Sequence, residues 1–413
     1  MSFRLSNLVC LWLCFLSFLP SHAQNHPTVS GKVLDAVTRQ PLEYANIAIS
    51  RKAIGAVSNS QGGFEVNSPE TSLKDTLMVS FIGYESYRMV IANIPDRQNM
   101  VILLTPVAQE LMRVVVSSKP YTVHSLLQEV ISRYGDNYNT TPVAMESFYR
   151  ETRQADKQYG YLLEAAMSLF KESYKERYEA SLKEVRMNAY SREFDYETSE
   201  NFLRTLLLND YIADPFMGFF KRYSKKEAYV IADTTFIDKD PVFVVTLGEL
   251  PEWKETYWIN VNDLAILRFE GLGYYGADSS QVMSKPEQGR VSRYRRLHVV
   301  NVYKPHGGKY YPGYLRMVLE MDTYNQRTNK SETYKILDRE LMVNRVEPVT
   351  GKPADKMERY SLETQLKTYN PEFWKNYTIL SRTPLQEQAI LDLEKKSKLD
   401  DQFSKQKPVV KKN

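Results

Sequence analysis

From Thr28 onward, apolar and polar side chains alternate with a period of two. Val29, Gly31 and Val33 share one face, and a polar turn from Asp35 to Gln40 is closed by Pro41. Ala45, Ile47 and Ile49 repeat the pattern, as do Phe64 with Val66 and Leu77 with Val79 and Phe81. Asn59-Ser60-Gln61-Gly62-Gly63 calls for a turn with positive φ, and Gly83 stops the most apolar run. With Met89 to Ala92 and Met100 to Leu104, this predicts six or seven short strands in a β-sandwich.

The period then changes. Val123, Leu126, Leu127, Val130, Ile131 and Tyr134 lie on one helical face that starts beside Thr122 and stops at Gly135. Alternation returns over Met145 to Thr152, Tyr161 to Phe170 and Tyr178 to Tyr190. A helical interruption from Glu200 to Leu208 leads into the apolar stretch Pro215 to Phe220. Hairpin turns follow at Asp238 to Pro241, Val261 to Asp263, His306 to Lys309 and Asn325 to Lys330. The expectation is a mainly β chain, with a small sandwich followed by a larger α+β domain on a curved antiparallel sheet with inserted helices. The expected divisions are a leader over 1–23, the sandwich over 27–106 and a linker over 107–121. The larger domain would occupy 122–382, and a short helix with a basic tail 383–413.

Val29-Ser30-Gly31-Lys32-Val33, Thr38 with Pro41-Leu42, Ala45-Asn46-Ile47, Ser60 with Gly63-Phe64, and Phe81-Ile82-Gly83-Tyr84-Glu85 resemble the carboxypeptidase-regulatory-like, or transthyretin-like, domain. The resemblance implies the kind of copy that opens many envelope proteins of Bacteroidetes-type bacteria. It does not imply a peptidase: the chain after the leader holds only His26, His124, His298 and His306, with no His-Glu-x-x-His. Leu111 to Val116 is similar to a Val-rich segment that follows this domain in TonB-dependent receptors, and is read as a linker or added strand. The strand and helix order farther on resembles the half-barrel of periplasmic lipoprotein carriers. Ser147-Phe148-Tyr149-Arg150-Glu151, Gly308-Lys309-Tyr310-Tyr311-Pro312, and Phe373-Trp374 with Tyr377, Ile379 and Pro384-Leu385 resemble a family that pairs this region with the same N-terminal domain and brings no known activity.

The leader changes the compartment. Arg4, an apolar core from Leu8 to Leu19, Pro20 and Ser21-His22-Ala23 before Gln24 form a secretory signal peptide cut between Ala23 and Gln24. Cys10 and Cys14 leave with it, so no disulfide is expected and burial alone must hold the fold. With 54 basic against 50 acidic side chains there is no electrostatic footprint for nucleic acid. No later apolar run reaches membrane-spanning length, so no integral segment is expected after cleavage. The expected place is the periplasm or the periplasmic face of a Gram-negative outer membrane. Tyrosine is abundant, at 29 residues, and is read as strand and half-wet surface.

Candidate chemistry is sparse. Gly271-Leu272-Gly273-Tyr274-Tyr275-Gly276 spells a dinucleotide motif, but no helix opens on its last glycine, so a loop between strands is expected. Arg290, Arg293, Arg295 and Arg296 could hold an anion; alternation predicts that most face solvent. Lys405, Lys407, Lys411 and Lys412 make the basic end. No catalytic residue, cofactor site or metal site is assigned. The first expectation is a non-enzymatic envelope protein, with the sandwich docking an envelope partner and the larger domain binding a ligand or partner. The alternative is a carrier of a lipid or other apolar ligand, with Phe216, Phe219 and Phe220 as a lid. A peptide or glycan hydrolase is the third reading.

Overall fold

The computed structural model describes residues 28–50, 52–66, 73–107, 121–188, 194, 202–212, 229–276, 289–357, 360–395 and 397–406. The sandwich comprises β1 (Val29–Asp35), β2 (Asn46–Ile49), β3 (Gly55–Val57), β4 (Gly63–Val66), β5 (Thr76–Ser80), β6 (Tyr87–Val90) and β7 (Met100–Leu104). One sheet runs β4-β1-β7, with β1 and β7 parallel, and the other β3-β2-β5-β6. The alternating residues named above meet between them: Val29, Val33, Ile47, Phe64, Leu77, Val79 and Ile102 are buried. Gly62 takes the positive φ, 72°, that the Asn59–Gly63 turn requires.

The larger sheet has ten strands. They are β8 (Val143–Ala155), β9 (Gln158–Lys171), β10 (Glu179–Met187), β11 (Tyr229–Ile237), β12 (Asp240–Leu247), β13 (Lys254–Asn260), β14 (Ile266–Tyr274), β15 (Arg290–His306), β16 (Lys309–Asn325) and β17 (Lys330–Pro348). Their order is β10-β9-β8-β17-β16-β15-β14-β13-β12-β11, antiparallel throughout and open, because β10 and β11 stand at opposite edges. Two meanders therefore meet where β8 pairs with β17.

One face of this sheet carries α1 (Val123–Ser132), α2 (Tyr134–Asn137) and α3 (Phe202–Leu208). Thr122 caps α1 through a reciprocal capping box with Ser125, and Leu126, Leu127 and Val130 are buried as the helical period predicted. With Leu203, Leu206 and Leu207 of α3 they interdigitate with sheet residues such as Leu163, Met167, Phe269 and Leu341. The opposite face carries the sandwich together with the chain around α4 (Pro371–Asn376) and α5 (Pro384–Glu394); α6 (Leu399–Ser404) packs beside β9 on Leu162. Phe148, Ala166, Val300, Val302 and Met342 of the sheet join the same apolar cluster as the sandwich core. Both faces are covered, so β8 and β9 are buried almost without interruption instead of alternating.

The Gly-rich motif is not the expected loop for its first two glycines. Gly271 and Gly273 lie within β14, beneath the Trp253 indole. A Cβ on Gly271 would stand 2.5 Å from Trp253 Cζ2, so the glycines make room for a ring that stands just before the neighbouring strand β13.

Candidate functional site

The seam between the sandwich and the large sheet brings together residues far apart in the chain. Its first element is the Phe81–Ser86 loop. Gly83 turns it with φ 93°, a conformation that a side chain at this position would resist. The Gly83 amide donates to Phe236 O (2.5 Å), and the Asp238 amide donates to Tyr84 O (3.1 Å), so the loop caps the end of β11. Asp238 occupies the β11–β12 turn. Its carboxylate accepts from the Ser86 amide (2.5 Å), Ser86 Oγ (2.9 Å) and Arg88 Nη2 (2.7 Å). Burial opposes its ionisation, but the bonds from Arg88 and Ser86 outweigh that and hold the carboxyl below its ordinary value. Replacing Asp238 with Asn is expected to lower stability by about 1–2 kcal/mol, allowing for partial solvent screening. The difference should be full above pH 4 and vanish as pH falls through the depressed native value; urea titrations of both proteins across that range check it.

The second element is a ring and ion-pair contact. Tyr44 packs on Tyr314 with centroids 5.1 Å apart, and Arg316 Nη1 donates to Tyr44 Oη (2.8 Å) while its fork grips Asp338 (3.0 and 2.8 Å). The third ties in the C-terminal segment: Asn59 Nδ2 donates to Ser381 O (2.9 Å) and Arg382 O (3.0 Å). Phe148 meets Trp374 edge-on at 6.5 Å, and Tyr377 Oη donates to Ser147 O (2.9 Å). The sequence runs around Phe148 and Trp374 thus meet in space as fastenings of the sandwich-side face. Tyr310, from the third run, reaches Asp263 (2.8 Å) and borders the seam.

Within the seam is a partly open cleft of about 190 Å³. Met78, Phe81, Leu267, Val302 and Pro305 supply apolar wall, and Asn46, Ser80, Asn260 and Arg268 supply polar groups. Among the described residues, Asn46 Oδ1 and Arg268 Nε have no hydrogen-bond partner, and both atoms are buried behind the cleft wall. Sequence reasoning did not single out these residues, although a signal existed. Asn46 and Met78 alternate away from the sandwich core, and an apolar Met78 on an outward face points to a second buried surface.

The helical face holds a different set of polar groups. Glu151 accepts from Tyr149 Oη (2.7 Å) and Arg153 Nε (2.6 Å), and Glu363 from Arg153 Nη2 (2.5 Å) and Tyr161 Oη (2.6 Å). Asp210 accepts from Tyr303 Oη (2.7 Å) and from Tyr178 Oη, and Glu255 from Trp253 Nε1 (2.9 Å) and Tyr257 Oη (2.8 Å). Burial pushes these five phenols well above their usual range, and pushes the Glu255 carboxyl up despite its two donors. Many tyrosines read as half-wet are therefore core residues whose hydroxyls find carboxylates.

The other candidates fall elsewhere. Arg290 pairs with Glu332, Arg293 and Arg295 with Asp322, and Arg296 with Glu320. Only Arg290 of the four is exposed, so the stripe is spent on the neighbouring strands instead of facing solvent. His298 reaches Glu270 at 2.9 Å. Among the described residues no group of three or more His, Cys, Asp or Glu could hold a metal ion, and no helix is long and apolar enough to cross a membrane. Phe216, Phe219, Phe220, Ala23, Gln24 and the Leu111–Val116 segment lie outside the described residues.

A CarboxypepD_reg-like domain model matches residues 29–116, taking in β1 to β7. No curated protein matches the chain. Among solved structures, it is similar to an outer membrane lipoprotein-sorting protein domain from Vibrio parahaemolyticus, with 11% identity over 56% of this chain and 96% of that one and a TM-score of 0.25. A LolA superfamily protein from Nitrosomonas europaea aligns at 14% identity over 57% of this chain and 96% of that one, TM-score 0.20. MucB of the Pseudomonas aeruginosa MucA/MucB complex aligns at 8% identity over 55% and 99%, TM-score 0.17.

Proposed function

We propose that this protein is exported to the periplasm of a Gram-negative envelope and acts there by binding, without catalysis. The observation that carries the reading is the occupation of its buried carboxylates. General acid–base chemistry needs a carboxyl group that a substrate can reach. The buried Glu151, Asp210 and Glu255 and the half-buried Glu363 instead accept at least two internal donors each. Glu164 and Glu340, on the other face, are held by arginines. The export step rests on the leader, and the partner step on the sandwich. The sandwich is fixed to the sheet on one side and leaves apolar Val101, 62% exposed, with Leu103 on edge strand β7. In this reading residues 27–106 dock an envelope protein and 122–382 form the body that holds it in place. The carrier alternative assigns Phe216, Phe219 and Phe220 to a lid over an apolar ligand held by the curved sheet; on one face of that sheet α1 and α3 already interdigitate with it.

The test is a photo-crosslinking amino acid at Val101, with the exposed Leu391 of α5 as control, followed by native mass spectrometry of the protein purified from its own envelope. One discrete envelope protein captured at Val101 and not at Leu391 is the expected result. No capture at Val101, with a lipid released by organic extraction, would overturn the docking reading in favour of the carrier.

A further inference from the structure

An edge strand presents unpaired backbone groups, and folded proteins blunt such edges with charge, proline, a bulge or a covering segment. Most edges of this fold are blunted. β4 carries Glu65, β6 carries Arg88, and β3 is wholly buried. β10 is bulged after Leu182, and the Gln406 side chain takes its outward Val185 carbonyl and Met187 amide. β11 is bulged before Asp233, and the Gly83 amide takes its Phe236 carbonyl. β7 has none of these devices: it ends its sheet, reads Met-Val-Ile-Leu-Leu, and pairs with β1 without a register shift.

The direction of its backbone groups is set at one end. Leu104 O accepts from the Ala36 amide (2.8 Å), so Met100, Ile102 and Leu104 turn toward β1. Thr105 O accepts from the Glu85 amide (2.9 Å) on the other side, so Val101 and Leu103 aim their N–H and C=O at the open edge. The Tyr84–Glu85 contact is one antiparallel rung, and the chain then leaves for β6 in the other sheet. Among the described residues the rungs at Leu103 and Val101 are unfilled. Charge around them is polarised. Lys32 stands beside Val101 in the register with β1, and Arg97 lies just before β7; among the described residues neither pairs with a carboxylate. Asp96 is taken by the Gln98 and Asn99 amides, and the exposed acid Glu85 stands at the far end, by Thr105.

We propose that β7 is a strand-addition site for an extended segment of the envelope partner. The segment continues the antiparallel rung begun at Glu85, with apolar side chains beside Val101 and Leu103. An acidic residue follows past the Met100 end, where Lys32 and Arg97 stand. Main-chain bonds supply the affinity and the alternate side chains the selectivity. This rests on the docking reading and gives it a chemistry.

The test places a photo-crosslinking amino acid at Val101 and, in a second protein, at Leu103, in cells with their native envelope. The adducts are sequenced by mass spectrometry. The expected result is one partner segment with the two adducts two residues apart, the spacing of one side of a strand. With the crosslinker at Val101, Leu103→Pro removes an outward N–H and should cut the yield about tenfold while the thermal melt is retained. Leu103→Thr keeps that N–H and should cut it less. Should the proline variant fail to fold, the spacing of the adducts decides alone. No adduct at either position removes the docking reading itself. Adducts scattered over a folded surface, or a yield that Pro leaves intact and Thr abolishes, overturn strand addition while docking stands. Adducts on a second copy, or on this chain's own residues 108–120, show a different occupant and overturn it as well.

Discussion

Replacing Glu164 with Gln is expected to cost about 3–5 kcal/mol, enough to threaten folding at physiological temperature. Glu164 sits mid-strand in β9 with no solvent exposure, between Arg150 Nε (2.8 Å) and Arg186, whose Nε and Nη2 lie 2.7 and 2.5 Å away. Arg150 also donates to Glu340 (3.1 Å) and to Leu380 O (2.9 Å), and Arg186 stacks over the Trp374 ring at 4.2 Å. The cluster thereby clamps the C-terminal segment to the sheet. Gln keeps the shape and removes the charge, leaving Glu340 to balance Arg150 and taking from Arg186 the carboxylate that it pairs with. Burial would raise the Glu164 carboxyl, but Arg186 and Arg150 hold it down at about 2. A depressed native value stabilises above the unfolded value near 4.5, and that contribution is lost as pH falls toward 2. Urea midpoints of wild type and variant should differ widely at pH 7 and converge as pH falls to about 2. A difference below about 1 kcal/mol at pH 7 would show that the cluster contributes no net stability.

Lys304 should behave in the opposite sense: Lys304→Met is expected to stabilise the protein by about 1–2 kcal/mol at pH 7. The side chain is only 6% exposed, its Nζ donates to Val343 O at 2.6 Å, and among the described residues no carboxylate pairs with it. Burial draws its pKa down from 10.5 to about 8. A depressed amine costs stability wherever both states are protonated, below pH 8. Between pH 8 and 10 the unfolded chain binds more protons than the folded one, so wild-type stability rises with pH. Above that the buried tyrosines take over, because their unfolded counterparts ionise first. Met keeps the stem volume and removes the charge, and the lost bond to Val343 offsets part of the gain. Denaturant curves at pH 7 and pH 9.5 check both statements: the variant should lead at the lower pH, and its lead should shrink at the higher. A variant less stable than wild type at pH 7 would mean that the Val343 bond outweighs the buried charge.

The alternation in most of β1 to β7 and the helical face of α1 were legible because one side of each is buried more deeply than the other, and one period then carries most of the signal. The long strands β8, β9 and β10 were found for their β-rich runs, but not their second buried face. Nothing in the period of those runs marks Arg150, Glu164 and Arg186 as buried, because it is the C-terminal segment that covers them. The same blindness applied to Arg293 and Arg295, whose carboxylate, Asp322, lies on the next strand. Gly271 and Gly273 looked like a loop because the ring that requires them, Trp253, belongs to the strand's neighbourhood and not to its period. The seam cleft was illegible for a related reason. Its walls come from β2, β5 and the Phe81 loop on one side and β14 and β15 on the other, and only docking brings them together.

The strand order has a consequence for how the chain reaches this state. β8 is the first strand of the large sheet to be synthesised and β17 the last, yet they pair from Val143 against Pro348 to Ala155 against Lys335, with one register shift between Val343 and Arg345. Until β17 is threaded out, the β8-β9-β10 meander and the β11-to-β16 meander are separate ribbons, each with a bare long edge. β8 therefore stays an unjoined, pairing-competent edge until the last strand of the sheet is available. Loop closure over that sequence separation makes the central zipping the slow event of folding. Protection by a holding chaperone matters most in that interval.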